Sequence, residues 1–199
     1  MKRFVTFEGI DGSGKSTISK GVYDALKNRG YDVVFTFEPT DSNIGKCLEK
    51  GIDDFDPLTT TFLFIADRIE HVKIIKKWLK QEKIVICDRY MDSTYAYQSA
   101  QLESILPSPL DFLKNISEDF ILVPDRTFLF DIDVKDALTR IKDRNNLESF
   151  EREDFLRKVR ENYLNLAESD KRFIILDAKE SIEQLIEICI RDILGDAGN

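Results

Sequence analysis

A glycine-rich segment near the N-terminus limits the folds open to this chain. It reads Gly9-Ile10-Asp11-Gly12-Ser13-Gly14-Lys15-Ser16 and matches the pattern G-x-x-x-x-G-K-[ST] at every fixed position. The apolar run Phe4–Phe7 before it predicts a buried strand, and the spacing of Ile18, Val22 and Leu26 after it predicts an amphipathic helix. A strand, a glycine-rich turn and a helix in this order are typical of a phosphate-binding loop.

The residue types in this loop suit a nucleoside triphosphate better than a glycine-rich turn that binds nothing. Glycines let the backbone curl so that successive N–H groups point at phosphate oxygens, and the following helix adds its partial positive charge. Lys15 supplies a charge for the β- and γ-phosphates, and the Ser16 hydroxyl is a ligand for Mg²⁺. The segment therefore predicts a site for a nucleoside triphosphate with Mg²⁺.

Strands alternate with helical segments along the rest of the chain. Four more apolar runs read as buried strands: Val33–Phe37, Ile84–Cys87, Thr127–Phe130 and Phe173–Leu176. Apolar residues recur at helical spacing over 62–79, 155–166 and 182–193. This order predicts an α/β protein, a three-layer fold of the P-loop NTPase type with a five-stranded parallel sheet and helices on both faces. We expect one domain over residues 1–199, with a mobile lid insert at about residues 140–153 because residues 142–151 are polar and lack a helical stripe.

The composition limits the classes of partner that the chain is expected to bind. The chain of 199 residues carries 29 Lys and Arg against 37 Asp and Glu, a formal charge of −8, which argues against nucleic acid. The spacings of Cys47, Cys87 and Cys189 predict neither a disulfide framework nor a zinc site. The N-terminus does not read as a signal peptide, and no stretch approaches the roughly 18 apolar residues of a membrane span. We therefore expect a cytoplasmic protein without a membrane partner.

A second set of charged residues follows the strand at Ile84–Cys87. Asp88 is expected beside the phosphate loop, where a carboxylate orients Mg²⁺ or its waters, and Arg89 is expected in the crevice where such sheets bind ligands. The planar fork of an arginine suits a second phosphate, although a surface ion pair remains the alternative for Arg89. Residues 10–13 contain no basic residue, so the cation for the transferred phosphoryl group must come from elsewhere. The insert carries three candidates, Arg140, Arg144 and Arg152.

Four motifs together resemble the thymidylate kinase (dTMP kinase) family of nucleoside monophosphate kinases. They are residues 7–17, the pair Glu38-Pro39, residues 63–71 (Leu-Phe-Ile-Ala-Asp-Arg-Ile-Glu-His) and residues 88–98 (Asp-Arg-Tyr-Met-Asp-Ser-Thr-Tyr-Ala-Tyr-Gln). The likeness extends from residue 4 to about residue 166. It implies transfer of the ATP γ-phosphoryl group to dTMP, giving dTDP and ADP for dTTP biosynthesis, with Mg²⁺ as cofactor and a homodimeric enzyme.

The resemblance assigns residues to each ligand. The ATP site would comprise Gly9, Ile10, Asp11, Gly12, Ser13, Gly14, Lys15, Ser16, Thr17 and Arg140, the last over the adenine. The dTMP site would comprise Asp11, Glu38, Phe64, Arg68, Arg89, Thr94 and Tyr97. The catalytic residues would be Lys15, Asp11, Arg89 and the lid residue Arg144, and the metal would be held by Ser16 and Asp88.

Individual roles on the acceptor side also follow from the resemblance. Phe64 would stack on thymine and Arg68 would reach its O4 atom, which agrees with their i, i+4 spacing on one helix face. Thr94 would face N3 of the base, Asp11 would hold the 3′-hydroxyl, and Tyr97 would pack under the sugar and disfavour a 2′-hydroxyl. On spacing alone, Phe64 is better explained as a core residue than as a platform for a base, and ordinary packing is the alternative for Tyr97.

The chain departs from the family pattern in two places. Phe37 stands where many members have an arginine before the Glu-Pro pair, so one usual contact to the acceptor phosphate is missing or replaced. The lid aligns poorly with the better-known bacterial forms, which leaves Arg152 as an alternative to Arg144. Two other functions stay open: a deoxynucleoside kinase or another nucleoside monophosphate kinase, and a non-catalytic switch module that binds a nucleotide.

Overall fold

The computed structural model describes residues 3–51, 54–141 and 149–195. These residues form five strands: β1 (Arg3–Glu8), β2 (Val33–Phe37), β3 (Ile84–Asp88), β4 (Arg126–Asp131) and β5 (Phe173–Asp177). They also form eight α-helices: α1 (Lys15–Asn28), α2 (Asn43–Gly51), α3 (Pro57–Lys80), α4 (Met91–Leu102), α5 (Pro109–Ser117), α6 (Val134–Arg140), α7 (Ser149–Ser169) and α8 (Ile182–Leu194).

The five strands form one parallel sheet in the order β2-β3-β1-β4-β5. The central strand β1 pairs with β3 on one side and β4 on the other, so that Phe7 lies opposite both Asp88 and Phe128. Chain connections leave β1 and β3 in opposite directions along the sheet, and such a reversal opens a ligand crevice at the carboxyl ends of the strands. The prediction of an α/β fold with a five-stranded parallel sheet is confirmed.

Both faces of the sheet are covered, which explains the nearly continuous apolar strands. Val5 and Ile86 pack in a cluster that includes residues of α1 and α8. Their sequence neighbours Phe4 and Val85 point the other way and pack in a cluster with residues of α3 and α5. A parallel sheet buried in this way reads as short apolar runs, because neither face is exposed to water.

The predicted strands agree with the structure to within one or two residues, and four of the helices match predicted stripes. Helices α2, α4, α5 and α6 were not predicted. Helix α4 buries polar residues such as Asp92, Thr94 and Gln98 together with apolar ones, so hydrophobic spacing does not mark its inner face. The predicted lid insert begins in the last turn of α6 and runs into α7, whose first helical residue is Ser149. Residues 142–148 of that insert lie outside the described residues.

Two further observations bear on the chemistry open to the chain. Cys47, Cys87 and Cys189 are all free thiols, and the last two are buried. Among residues 3–51, 54–141 and 149–195, every helix is too short or too polar to cross a bilayer.

A buried ion pair joins the start of α4 to the turn before β5. Arg172 donates from Nη1 and Nη2 to the two carboxylate oxygens of Asp92, at 2.7 and 2.6 Å. Asp92 is fully buried and Arg172 is 8% exposed. Thr127 on β4 accepts a further hydrogen bond from Nη1. The pair therefore ties α4 to the β4–β5 side of the sheet through groups that have little access to water.

We expect Asp92→Ala to lower the free energy of unfolding by about 3 kcal/mol, because the buried Arg172 guanidinium then keeps only the partly exposed Asp170 as a counter-ion. Urea denaturation followed by circular dichroism measures this loss. Glu70→Ala, which breaks an exposed ion pair to Lys73, serves as the control and should change the stability far less. Similar losses in the two variants would contradict the prediction.

Candidate active site

The loop between β1 and α1 is shaped by close approach of backbone to backbone. Gly9 and Gly12 have φ angles of 143° and 85°, in the region that favours glycine. A Cβ atom on Gly9 would lie 2.7 Å from the Phe130 carbonyl oxygen, and one on Gly12 would lie 2.4 Å from that of Ala137. Helix α1 then begins without a side-chain cap, so its first N–H groups remain available to an anion.

Lys15 is the first residue of α1 and is only 5% exposed. Its ammonium nitrogen lies 3.7 Å from a carboxylate oxygen of Asp11. Burial and the nearby charge of Arg89 lower the pKa of Lys15 to about 8, although the carboxylates of Asp11, Asp88 and Glu8 oppose the shift. A buried ammonium of this kind gains from an incoming phosphate more than an exposed one does, because the phosphate replaces lost hydration.

Arg89 lies at the carboxyl end of β3 with a positive φ of 65°. Its Nη2 atom donates to Asp11 Oδ1 at 2.5 Å, and its Nη1 atom donates to Ser93 Oγ at 3.2 Å. The guanidinium lies 5.2 Å from the centre of the Tyr97 ring, and the Tyr97 hydroxyl accepts a hydrogen bond from the Asp11 backbone N–H at 3.1 Å. The phosphate loop, the arginine and the tyrosine therefore form one connected unit, as their sequence motifs predict.

Asp11 carries a negative charge in this unit. Burial alone would raise its pKa, but the positive charges of Arg89, then Lys15, and more weakly Arg152, leave the pKa below its ordinary value. The carboxylate is thus shared between the two cations that a donor phosphate and an acceptor phosphate would each need.

Glu8 is a central residue that the sequence analysis missed. Its fully buried carboxylate accepts hydrogen bonds from the Tyr90 backbone N–H at 2.8 Å, the Ser93 hydroxyl at 2.6 Å and the Tyr163 hydroxyl at 2.9 Å. Burial, and then the negative charge of Asp92, raise the pKa of Glu8 to about 7. The sequence signal that could have identified Glu8 is an acidic residue at the end of an otherwise apolar strand, immediately before the glycine-rich loop.

A cavity of about 230 Å³ opens beside Arg89. It is lined by Asp11, Glu38, Pro39, Phe64, Arg68, Arg89, Tyr90, Ser93, Thr94, Tyr97, Gln98 and Gln101. All seven residues predicted for the acceptor nucleotide are in this set, and Phe64 is half-buried on its wall. Gln98 and Gln101 were not predicted, yet each follows a predicted site residue of α4 by four positions, which places it on the same helix face.

A second cavity, of about 400 Å³, is also lined by Arg89. It is lined by Ser16, Lys20, Phe35, Phe37, Glu38, Asp88 and Arg89. Phe37, at the position where many family members have arginine, contributes an apolar wall here. This side of the site therefore takes its positive charge from Lys20 and Arg89.

The residues predicted to hold Mg²⁺ fit that ion. Asp88 Oδ1 is buried and has no hydrogen-bond partner among the described residues. The carboxylate and the Ser16 hydroxyl line the same cavity and supply the oxygen ligands that Mg²⁺ prefers. The described ranges hold no cluster of three or more His, Cys, Asp or Glu residues suited to a metal.

The three candidate lid arginines differ in position and contacts. Arg140 is the exposed last residue of α6, and its Nη2 atom donates to the Ala178 carbonyl oxygen at 3.0 Å, at the end of β5. Arg152 is exposed on α7, near enough to Asp11 for its charge to contribute to the lowered pKa of that carboxyl. Arg144 lies outside the described residues.

Fold and site together define a class of enzyme. A phosphate loop at the centre of a 2-3-1-4-5 parallel sheet, beside a second cavity that shares an arginine with it, is the arrangement of a P-loop nucleoside monophosphate kinase. The sequence profile of the family described as thymidylate kinase matches residues 7–187. The chain belongs to the thymidylate kinase family and is a kinase of dTMP.

Individual relatives are similar over nearly their whole length. A probable thymidylate kinase of Methanosarcina acetivorans is 42% identical over 196 residues, which cover 96% of this chain and 95% of the relative. That of Methanocaldococcus jannaschii is also 42% identical, over 92% of this chain and 90% of its own. The probable thymidylate kinase of Sulfurisphaera tokodaii is 41% identical, over 94% of this chain and 93% of the relative.

The lowered pKa of Lys15 predicts that nucleotide binding takes up protons at alkaline pH. In the free enzyme at pH 8.5 the amine is largely neutral, and a bound triphosphate raises its pKa, so binding should draw up to roughly three-quarters of a proton per site. Isothermal titration calorimetry of ATP binding in two buffers of different ionisation enthalpy measures this uptake. Lys15→Arg, which stays charged at this pH, should show almost none. Equal uptake by both proteins would refute the assignment.

Proposed function

We propose that ATP binds on the phosphate loop and dTMP in the 230 Å³ cavity, with the γ-phosphate of ATP and the phosphate of dTMP meeting at Arg89. The observation that carries this proposal is that Arg89 lines both cavities and is held between Asp11 of the loop and Ser93 of α4. Its fork can therefore contact an acceptor phosphate without leaving the edge of the donor site.

The reaction is in-line transfer of the ATP γ-phosphoryl group to a 5′-phosphate oxygen of dTMP. Lys15 and the N-terminus of α1 hold the donor phosphates, and Arg89 holds the acceptor phosphate. The acceptor oxygen is largely ionised near neutral pH, so the chain needs only to align two anions and exclude water. Mg²⁺, held by Ser16 and Asp88, would supply further positive charge next to the donor phosphates.

Each side chain of the acceptor cavity contacts a different part of the nucleotide. Phe64 stacks on the thymine, Arg68 donates to O4, and Thr94 faces N3. Tyr97 lies under the deoxyribose, and Asp11 accepts from the 3′-hydroxyl. Support comes from their shared position around one cavity and from the hydrogen bond between Tyr97 and the Asp11 backbone.

The remaining predictions form part of the same proposal. Residues 1–199 act as one domain with a lid at about residues 140–153, and Arg140 packs over the adenine. Arg144 or Arg152 neutralises the transferred phosphoryl group, and the charge of Arg152 near Asp11 supports the second choice. The enzyme is a homodimer that uses α3, on which Phe62 and Ile74 are exposed apolar residues. The cytoplasmic location stays a prediction.

A coupled assay of ADP release tests the acceptor. With ATP and Mg²⁺, we expect strong turnover of dTMP, weaker turnover of dUMP and dCMP, and little with UMP or AMP, because Tyr97, which lines the cavity, would pack under the sugar and disfavour a 2′-hydroxyl. Turnover of thymidine but not dTMP would make the protein a nucleoside kinase and remove the role of Arg89. No turnover with any acceptor, together with measurable ATP binding, would favour the non-catalytic switch module.

Arg89→Ala should lower kcat/KM for dTMP by about a thousandfold or more, because it removes a charged group that stabilises the transferring phosphates. Steady-state kinetics with both substrates varied measures the loss. Arg126→Ala, which removes an arginine paired with Asp192 at the far end of β4, is the matched control and should keep near-normal kinetics. Normal kinetics in Arg89→Ala would refute the proposed role.

A further inference from the structure

Three buried side chains and the half-buried Thr36 form a hydrogen-bonded series behind the acceptor cavity. Arg68 donates from Nε and Nη2 to Glu38 Oε2, at 2.9 and 2.6 Å. The other carboxylate oxygen, Oε1, lies 2.9 Å from His71 Nδ1, and His71 Nε2 lies 2.7 Å from the Thr36 hydroxyl. Arg68 and His71 are each 2% exposed and Glu38 is 5% exposed. The series therefore runs from β2 through α3 to the cavity wall.

The cavity end of this series faces the position proposed for the base. Arg68 Nη2 also donates to the Thr94 hydroxyl at 2.9 Å. Within the described residues, Nη1 donates to no protein acceptor, although Arg68 lines the cavity. Nη1 is thus the nitrogen left to donate to a carbonyl oxygen on a bound base, and its direction is set by how Glu38 holds the rest of the guanidinium.

His71 determines how Glu38 holds that guanidinium. With Oε1 engaged by the imidazole, a single oxygen, Oε2, receives both donors from Arg68. Without the imidazole, Oε1 would be a buried acceptor with no partner, and the carboxylate would turn both oxygens toward the arginine. Carboxylates and arginines favour this bidentate geometry, and it would change the direction of the N–H groups offered to the base.

We infer that His71 is a positioning residue for base selection: through Glu38 it holds Nη1 of Arg68 where it can donate to a carbonyl at C4 of the pyrimidine, an acceptor that an amino group at C4 does not offer. This inference rests on the proposed placement of dTMP in the cavity. It gives the chain's single histidine a function in a reaction that needs no histidine as acid or base. It also places Glu38 one step behind the ligand, as the link between His71 and Arg68.

A purely structural role for His71 would be to tie α3 to β2 through Thr36. Two amide variants separate that role from the positioning role. The amide nitrogen of His71→Asn replaces Nδ1, which faces Glu38, whereas that of His71→Gln replaces Nε2, which faces Thr36. Val72→Ala, at the next and equally buried position of α3, provides a control for loss of stability alone.

Kinetics with dTMP and dCMP, which carry a carbonyl and an amino group at C4, provide the test. In His71→Ala and His71→Gln we expect KM for dTMP to rise about tenfold, the effect of roughly one lost hydrogen bond, with kcat and KM for ATP within about twofold of wild type. The preference for dTMP over dCMP in kcat/KM should fall about tenfold, and His71→Asn should restore most of both values.

The outcomes that overturn the inference are distinct from those that overturn the proposed function. If the His71 variants lose thermal stability as Val72→Ala does, yet keep the wild-type KM for dTMP and the wild-type preference over dCMP, His71 has a structural role only. If His71→Gln behaves as wild type while His71→Asn does not, the contact to Thr36 is the important one and the inference is wrong. Failure of the wild-type enzyme to use dTMP would instead refute the proposed function.

Discussion

The buried carboxylate of Glu8 is the interaction on which the geometry of the site depends. It ends the central strand and receives hydrogen bonds from the start of α4 and from Tyr163 of α7. Ser93 passes this restraint to Arg89, because its hydroxyl donates to Glu8 and accepts from the guanidinium. Arg89 is thereby kept in a left-handed backbone conformation that few side chains adopt at low cost. A buried acid thus holds the most important cation of the site in position.

The charges of the site oppose those of the molecule as a whole. A chain with a formal charge of −8 repels nucleotides at long range, yet it must bring two phosphate groups together. Lys15, Arg89 and the uncapped start of α1 concentrate positive potential at one end of β1 and β3. Asp11 balances these cations when no nucleotide is bound, so neither is left buried without a counter-charge.

Much of this arrangement follows from the sequence, because its main signals are local. Short sequence motifs contain the phosphate loop, the five strands and the residues around Arg89. The chemistry of these motifs can be inferred without knowledge of the fold. Helix α4 was missed because polar residues on its inner face line a cavity, and Glu8 was missed because its partners lie 82 to 155 positions away. Phe64 was ambiguous between core and cavity wall for the same reason: only the packing of α3 against α4 separates the two.

The strand order has a consequence for how the chain acquires its site during synthesis. The phosphate loop is among the first segments to be made, but its flanking strand β1 is completed by β3 and then by β4, which ends at residue 131. Tyr163, the last partner of Glu8, is made later still. A nascent chain of 100 residues would therefore carry the full glycine-rich motif and β3, but neither β4 nor the Phe130 and Ala137 carbonyl groups that lie against the loop. Pairing between segments that are distant in the sequence slows folding. Nucleotide binding therefore becomes possible only late in the synthesis and folding of the chain.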